Sequence, residues 1–241
     1  MPMQDELSSQ PKPVSDVWRP ELVRLPSLTI WRRAFRRFAH GFLKLVAKIC
    51  LQVSAEGLEH IPKNGPLLIV INHLGDADTP VLISSLPFMP DALGKIELYD
   101  FPILGKLMDW YGVIWLHRGR PDKRALRAAL DGLAQGRVII IAPEGRYSVT
   151  GALEQGTDGA AFLAYKSGAP ILPIAVIGTE NANVYGHMRR LRRAPVRLWV
   201  GTLLWLEDSA EDRKEALNRG TNQVMAALAS LLPEKSRGKY S

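Results

Sequence analysis

Leu67-Leu68-Ile69-Val70-Ile71-Asn72-His73-Leu74-Gly75-Asp76-Ala77-Asp78-Thr79-Pro80 is the stretch on which the reading of the chain turns. A continuous apolar run, Leu67–Ile71, stops abruptly at Asn72. A run this short reads as a buried strand rather than a helix. The spacing predicts a helix over Thr79–Leu86, with Pro80 well suited to its first turn. Strand, polar turn and helix in that order open an α/β unit.

The same alternation extends outward. Further strands are expected at Ala92–Leu98, Val113–Leu116, Val138–Ala142, Ile171–Ile177 and Val196–Leu204. Helices are expected at Pro102–Tyr111, Asp122–Gln135, Asp158–Ser167 and Ser209–Leu232. Gly136 and Gly168 stop two of them, and Ser209 and Asp212 stand at capping spacing before the last. The fold class expected is therefore α/β, with a mostly parallel central sheet flanked by helices. Such sheets gather ligands beyond the carboxyl ends of their strands.

Composition narrows the partners. The chain has 241 residues, with 31 Lys+Arg against 24 Asp+Glu. That balance admits anionic lipid, phosphorylated small molecules or nucleic acid. Cys50 is the single cysteine, which excludes an intramolecular disulfide framework. No Cys/His cluster has zinc-ligand spacing, so no metal is expected. The polar, proline-rich residues 1–27 read as a disordered or loosely docked tail without a secretory signal. Residues 28–51 read as a basic amphipathic helix, and 52–241 as the main domain. No uncharged apolar stretch of about 18 residues exists to span a bilayer.

In the helix expected at Ile30–Leu51, Trp31, Phe35, Phe38, Phe42, Leu45, Val46 and Ile49 share one face. Arg32, Arg33, Arg36, Arg37, Lys44 and Lys48 occupy the rest, with no acid among them. Spanning would place charges in hydrocarbon at about 2.5 kcal/mol each. Lying in the interface suits the pattern, with aromatics down and guanidinium groups toward lipid phosphates. Docking on the protein's own core with a solvated basic face is compatible with the same residues. Nucleic acid is not expected, because the aromatics lie on the apolar face and no RNP-like pattern accompanies them.

The chemistry centres on His73 and Asp78. A histidine directly after a buried strand sits on a turn at the sheet's edge. If the loop folds back, the Asp78 carboxylate can accept from Nδ1–H and leave Nε2 free to take a proton. Such a base suits transfer of an acyl group from a thioester to an alcohol. An enzyme nucleophile is not needed, and no G-x-S-x-G elbow is present. Two other readings stay open on these residues alone: Asp78 or Thr79 as a helix cap, and Asp76, His73 and Asp78 as metal ligands. Arg118 ends the strand that follows Gly112, and Glu144-Gly145-Arg146 follows the strand Val138–Ala142. Both place a guanidinium beyond a strand end, suited to phosphate oxygens or to a structural ion pair with Glu144 or Asp122. Arg189-Arg190-Leu191-Arg192-Arg193 is a second basic run, readable as a headgroup surface or a solvated loop.

These blocks resemble the 1-acyl-sn-glycerol-3-phosphate acyltransferases of the glycerolipid acyltransferase superfamily. The resemblance rests on Asn72-His73 through Asp78 (N-H-x-x-x-x-D), Gly112 to Arg118, Glu144-Gly145-Arg146-Tyr147-Ser148, and Pro170-Ile171-Leu172-Pro173-Ile174. It implies His73 as base with Asp78 as its partner. It implies Arg118, Glu144, Gly145 and Arg146 at the acceptor's phosphate, and Pro173 lining the acyl or acceptor pocket. It further implies a fatty acyl group moved from acyl-CoA or acyl carrier protein to lysophosphatidate, with no metal and no bound cofactor; another lysophospholipid, glycerol-3-phosphate or lipid acceptor, or a non-catalytic membrane-lipid-binding protein, are the alternatives. Residues 30–51 would hold the enzyme peripherally on the cytoplasmic face of the cell membrane. The chain departs from the family pattern twice. Gly75 replaces a frequent serine two residues after the histidine. The third block usually reads E-G-T-R-S, and here the arginine stands two residues after the glutamate rather than three.

Overall fold

The computed structural model describes residues 11–119, 121–207 and 212–241. Among them a seven-stranded sheet runs in the order β1-β7-β6-β2-β5-β3-β4. Its strands are β1 (Leu51–Glu56), β2 (Leu67–Ile71), β3 (Asp91–Lys95), β4 (Ile114–Leu116), β5 (Val138–Ile141), β6 (Ile171–Ile177) and β7 (Ala194–Val200). Every pairing is parallel except β6 with β7. The mostly parallel α/β sheet is as the alternation predicts.

Helices cover both faces, as parallel strands require. They are α1 (Ile30–Cys50), α2 (Asp78–Ser85), α3 (Leu104–Tyr111), α4 (Lys123–Ala134), α5 (Gly159–Ser167), α6 (Asn181–Arg189) and α7 (Arg213–Leu231). On one face Leu68, Val70 and Ile139 pack with Ala129 of α4, Leu163 of α5 and Leu228 of α7. On the other, Leu67, Ile69 and Ile71 pack with Leu82 of α2 and Val184 of α6. A smaller cluster beside β4 joins Trp115 and Tyr111 to Phe35 and Leu43 of α1.

Several elements depart from the expected bounds. The strand expected over Ala92–Leu98 ends at Lys95, and a 3-10 turn over Ile96–Asp100 buries Ile96 instead. The strand expected over Val196–Leu204 is shifted to Ala194–Val200, with Leu204 only bridging Ile171. β1 and α6 were not expected at all. The last helix starts at Arg213, capped by Asp212, whose side chain accepts from Lys214 N–H; Ser209 lies outside the described residues. Residues 11–27 of the expected tail lie against the domain at several points: Lys12 donates to the carbonyls of Glu144 and Gln155, and Ser15 exchanges two hydrogen bonds with Arg118.

α1 is where expected, but it divides its charges. At about 100° per residue, Trp31, Phe38, Phe42, Leu45 and Ile49 form one stripe and Arg33, Arg37, Lys44 and Lys48 a second. Both stripes are exposed. A third face, with Phe35, Ala39 and Leu43, packs on the domain. Arg36 belongs to that third face and not to the lipid-facing set expected of it. It is 4% exposed, pairs with Asp91 at 2.6 Å and donates to Met89 O. A buried carboxylate on β3 draws it inward, because an unpaired charge there would cost several kcal/mol, roughly.

Candidate active site

The site forms where β2 and β5 end side by side. The chain leaving β2 enters α2 on one face of the sheet, and the chain leaving β5 reaches α5 on the other. Connections that part in this way open a crevice at the carboxyl ends of the two strands. His73 stands in it, immediately beyond β2.

The loop after β2 folds back on itself. Asp78 begins α2 and is wholly buried. Its Oδ2 accepts from Leu74 N–H at 2.7 Å, Gly75 N–H at 3.1 Å and His73 Nδ1 at 2.6 Å. An oxygen already accepting two N–H groups calls for a donor at the third position, so Nδ1 carries the proton. Nε2 keeps its lone pair, and the ring is about a quarter exposed. Asp78 makes no side-chain cap to α2, for which Ala77 is the N-cap residue.

The loop after β5 grips the backbone of His73 from both sides. Glu144 Oε1 accepts from His73 N–H at 2.9 Å, and Ser148 N–H donates to His73 O at 2.7 Å. Glu144 Oε2 accepts from Glu154 N–H at 2.8 Å. Burial pushes the Glu144 carboxyl up to about 8, against the pull of those two backbone donors. Gly145 makes the turn in the left-handed region, φ 72°. Arg146 is buried and its Nε is bound to Glu154. The phosphate contacts expected of Glu144 and Arg146 thus meet a different arrangement: both are spent on holding this loop and the histidine.

Tyr147 stands where the E-G-T-R-S pattern carries its arginine. Its ring meets His73 edge-on at 4.3 Å between centroids, and its hydroxyl donates to Asp76 Oδ1 at 2.6 Å. Asp76 Oδ2 also accepts from Asn181 at 2.9 Å and Tyr185 at 3.0 Å, both on α6. Burial pushes the Asp76 carboxyl up, but the bonds from Tyr147, Tyr185 and Asn181 outweigh it and hold it below its ordinary value. Burial and the Asp76 bond raise the Tyr147 hydroxyl. Lys95, at the end of β3, lies 5.5 Å above the Tyr147 ring. Sequence reasoning missed Lys95 because the expected strand ran past it, and missed Tyr147 because its contact with His73 joins parts of the chain far apart in sequence.

Arg118 lies beyond β4, on the same sheet edge as His73 but with β5 and β3 between their strands. At about 4.8 Å per strand the separation is on the order of 14 Å. Its Nη2 is 3.6 Å from Glu97 Oε1, and its buried Nε has no hydrogen-bond partner among the described residues. It borders a cavity of about 710 Å³ shared with Trp18, His117 and Arg124. His117 repeats the His73 geometry, with Nδ1 2.8 Å from Asp122, but its Nε2 already accepts from Arg19 N–H. Pro173 lies within β6, beside Val70. It is buried there, and its ring faces Gly201, where an added Cβ would stand 2.9 Å from its Cγ. Among the described residues no three His, Cys, Asp or Glu side chains gather as metal ligands.

Known proteins resemble this chain in sequence and in fold. The family described as Acyltransferase matches residues 52–177. The chain is 31% identical over 175 residues to the chloroplastic 1-acyl-sn-glycerol-3-phosphate acyltransferase LPAT1 of Arabidopsis thaliana, covering 68% of this chain and 48% of that protein. It is 29% identical over 182 residues to the chloroplastic 1-acyl-sn-glycerol-3-phosphate acyltransferase BAT2 of Brassica napus, covering 73% and 53%. The chain thus spans about half the length of these curated relatives. The crystal structure of the 1-acyl-sn-glycerophosphate (LPA) acyltransferase PlsC from Thermotoga maritima superposes with a TM-score of 0.61 at 23% identity, covering 85% of this chain and 84% of that one. With the family matched across β1 to β6 and the His73–Asp78 pair at its centre, this chain belongs to the acyltransferase family.

Proposed function

We propose that the chain transfers a fatty acyl group from acyl-CoA or acyl carrier protein to the free hydroxyl of lysophosphatidate, giving phosphatidate in phospholipid biosynthesis. The observation that carries this reading is the Nδ1–Asp78 bond of 2.6 Å, which orients His73 and leaves Nε2 basic. His73 Nε2 takes the proton as the acceptor oxygen attacks the thioester carbonyl. The thiolate leaves and takes up a proton. Asp78 holds the tautomer and stabilises the imidazolium. Arg118, with Lys95 nearer the histidine, supplies positive charge for the acceptor's phosphate. No metal or bound cofactor enters the scheme. The exposed stripe of α1 seats the enzyme peripherally on the cytoplasmic face of the membrane, with the Arg37, Lys44 and Lys48 side toward headgroups.

One observation favours a second acceptor. Arg146 is bound to Glu154, and a neutral tyrosine stands beside it, so the site carries less positive charge than the family pattern implies. A lysolipid with another headgroup would ask for less. Purified protein given labelled acyl donor and an acceptor panel decides. Phosphatidate from lysophosphatidate is expected, and conversion of another lysolipid alone would select the second reading. His73→Ala should abolish turnover with an unchanged circular dichroism spectrum. An active His73→Ala protein would sink the mechanism.

A further inference from the structure

The apolar surface of α1 does not end with α1. Trp110 of α3 meets Phe35 edge-on at 5.6 Å, Phe35 lies 6.4 Å from Phe38, and Phe38 stacks 6.2 Å from Phe42. Arg32 fastens the two helices, donating to the carbonyls of Trp110 and Asp109. Beyond this join, Ile103, Leu107 and Trp110 stand at helical spacing and are 75%, 48% and 65% exposed. Phe101 and Leu104 are exposed beside them. Scattered exposed leucines are ordinary in soluble proteins, whereas a continuous aromatic and aliphatic strip on two packed helices is not.

We infer that α3 and its entry, Phe101–Trp110, form a second membrane-inserting rail beside α1, and that the occupant is an anionic bilayer. This rests on the membrane reading of α1. Charge supports the choice. Arg33, Arg37, Lys44 and Lys48 flank the α1 stripe, and Lys106 stands exposed within α3. Among the described residues no helix is long and apolar enough to cross a membrane, so the surface lies along it. A second copy of the chain fits less well, since an isologous contact would set the basic stripe against its own image. Position gives the rail its use. Phe101–Leu104 follows β3 by one 3-10 turn, on the sheet edge that carries Lys95 and His73. Insertion there brings the mouth of the site to the bilayer, so an acyl chain passes from lipid to site without crossing water.

The test is co-sedimentation of the full chain with vesicles of phosphatidylcholine containing phosphatidylglycerol. Ile103→Glu/Leu107→Glu should weaken partitioning by about tenfold or more, while Trp205→Glu, exposed beside the amino end of β6, should leave it unchanged. A polarity-sensitive label at Ile103→Cys, in a Cys50→Ser background, should shift to shorter wavelength on adding vesicles. Wild-type partitioning that falls with Phe38→Glu/Phe42→Glu but not with Ile103→Glu/Leu107→Glu would overturn the rail and leave the α1 reading standing. No wild-type partitioning at all would overturn both. A wild-type dimer in sedimentation velocity that the double variant dissolves, with no label shift on vesicles, would assign the surface to a second copy instead.

Discussion

Gly75 shows how closely the His73–Asp78 loop is fitted. A Cβ placed there would stand 2.4 Å from Thr179 O and 2.7 Å from Asn181 Oδ1. The frequent serine of the family pattern has no room, because the loop after β6 crosses directly over this residue. Gly75→Ala should destabilise the protein by about 1–3 kcal/mol in urea unfolding and lower kcat by displacing Asp78's N–H partners. Stability equal to wild type would show that the crossing loop yields. Asp78→Asn should reduce kcat roughly 10²–10⁴-fold, since the amide cannot hold the same tautomer; steady-state kinetics on folded protein reads this directly. Glu144 carries a pH signature. Its folded value is raised from 4.5 to about 8, so its stabilising contribution is complete below about 4.5 and is lost as pH rises through 8. The melting temperature of wild type should therefore fall relative to Glu144→Gln between pH 5 and about 8. A constant difference would mean that Glu144 is ionised throughout. His73 and Asp78 were legible in sequence because their bond is local, five residues apart. The role of Glu144 was not, because its partner His73 lies 71 residues away.

At the scale of elements, strands with continuous apolar sequence were read within about two residues, because burial on both faces leaves no other composition. β1 was missed for the opposite reason. Its residues alternate, and Gln52, Ser54 and Glu56 face outward from an edge strand whose partner, β7, is distant in sequence. α6 was missed because Asn181, Asn183 and Gly186 are poor helix formers. Contacts of Asn181 and Tyr185 with Asp76, and of Val184 with the core, favour the helix there. α1 was found from its period, yet the period could not say which of its arginines turns inward. Arg36→Ala should cost about 3–5 kcal/mol by leaving buried Asp91 with only the longer Arg137 contact, 3.5 Å, measured by chemical denaturation. Arg36→Met with Asp91→Leu should recover most of it, and no recovery would mean that the pair holds α1 by shape rather than charge.

For the whole molecule, α1 carries six basic residues and no acid beside its exposed apolar stripe. Raising salt from about 0.1 to 0.5 M should weaken vesicle binding without abolishing it, because screening removes the ionic part and leaves insertion of the aromatics. Salt-independent binding would assign the association to the apolar strip alone. By itself the sequence determined the α/β alternation, the mostly parallel sheet and the His73–Asp78 turn at a strand's end. Each depends on residues a few positions apart, so periodicity and spacing carry them. Tertiary structure alone decided that Arg36 faces Asp91, that Glu144 and Arg146 hold a loop, that Tyr147 stands against His73, and that α3 continues the exposed strip of α1. Those assignments depend on partners brought together from distant parts of the chain, where a charge or ring takes the role its neighbour in space requires.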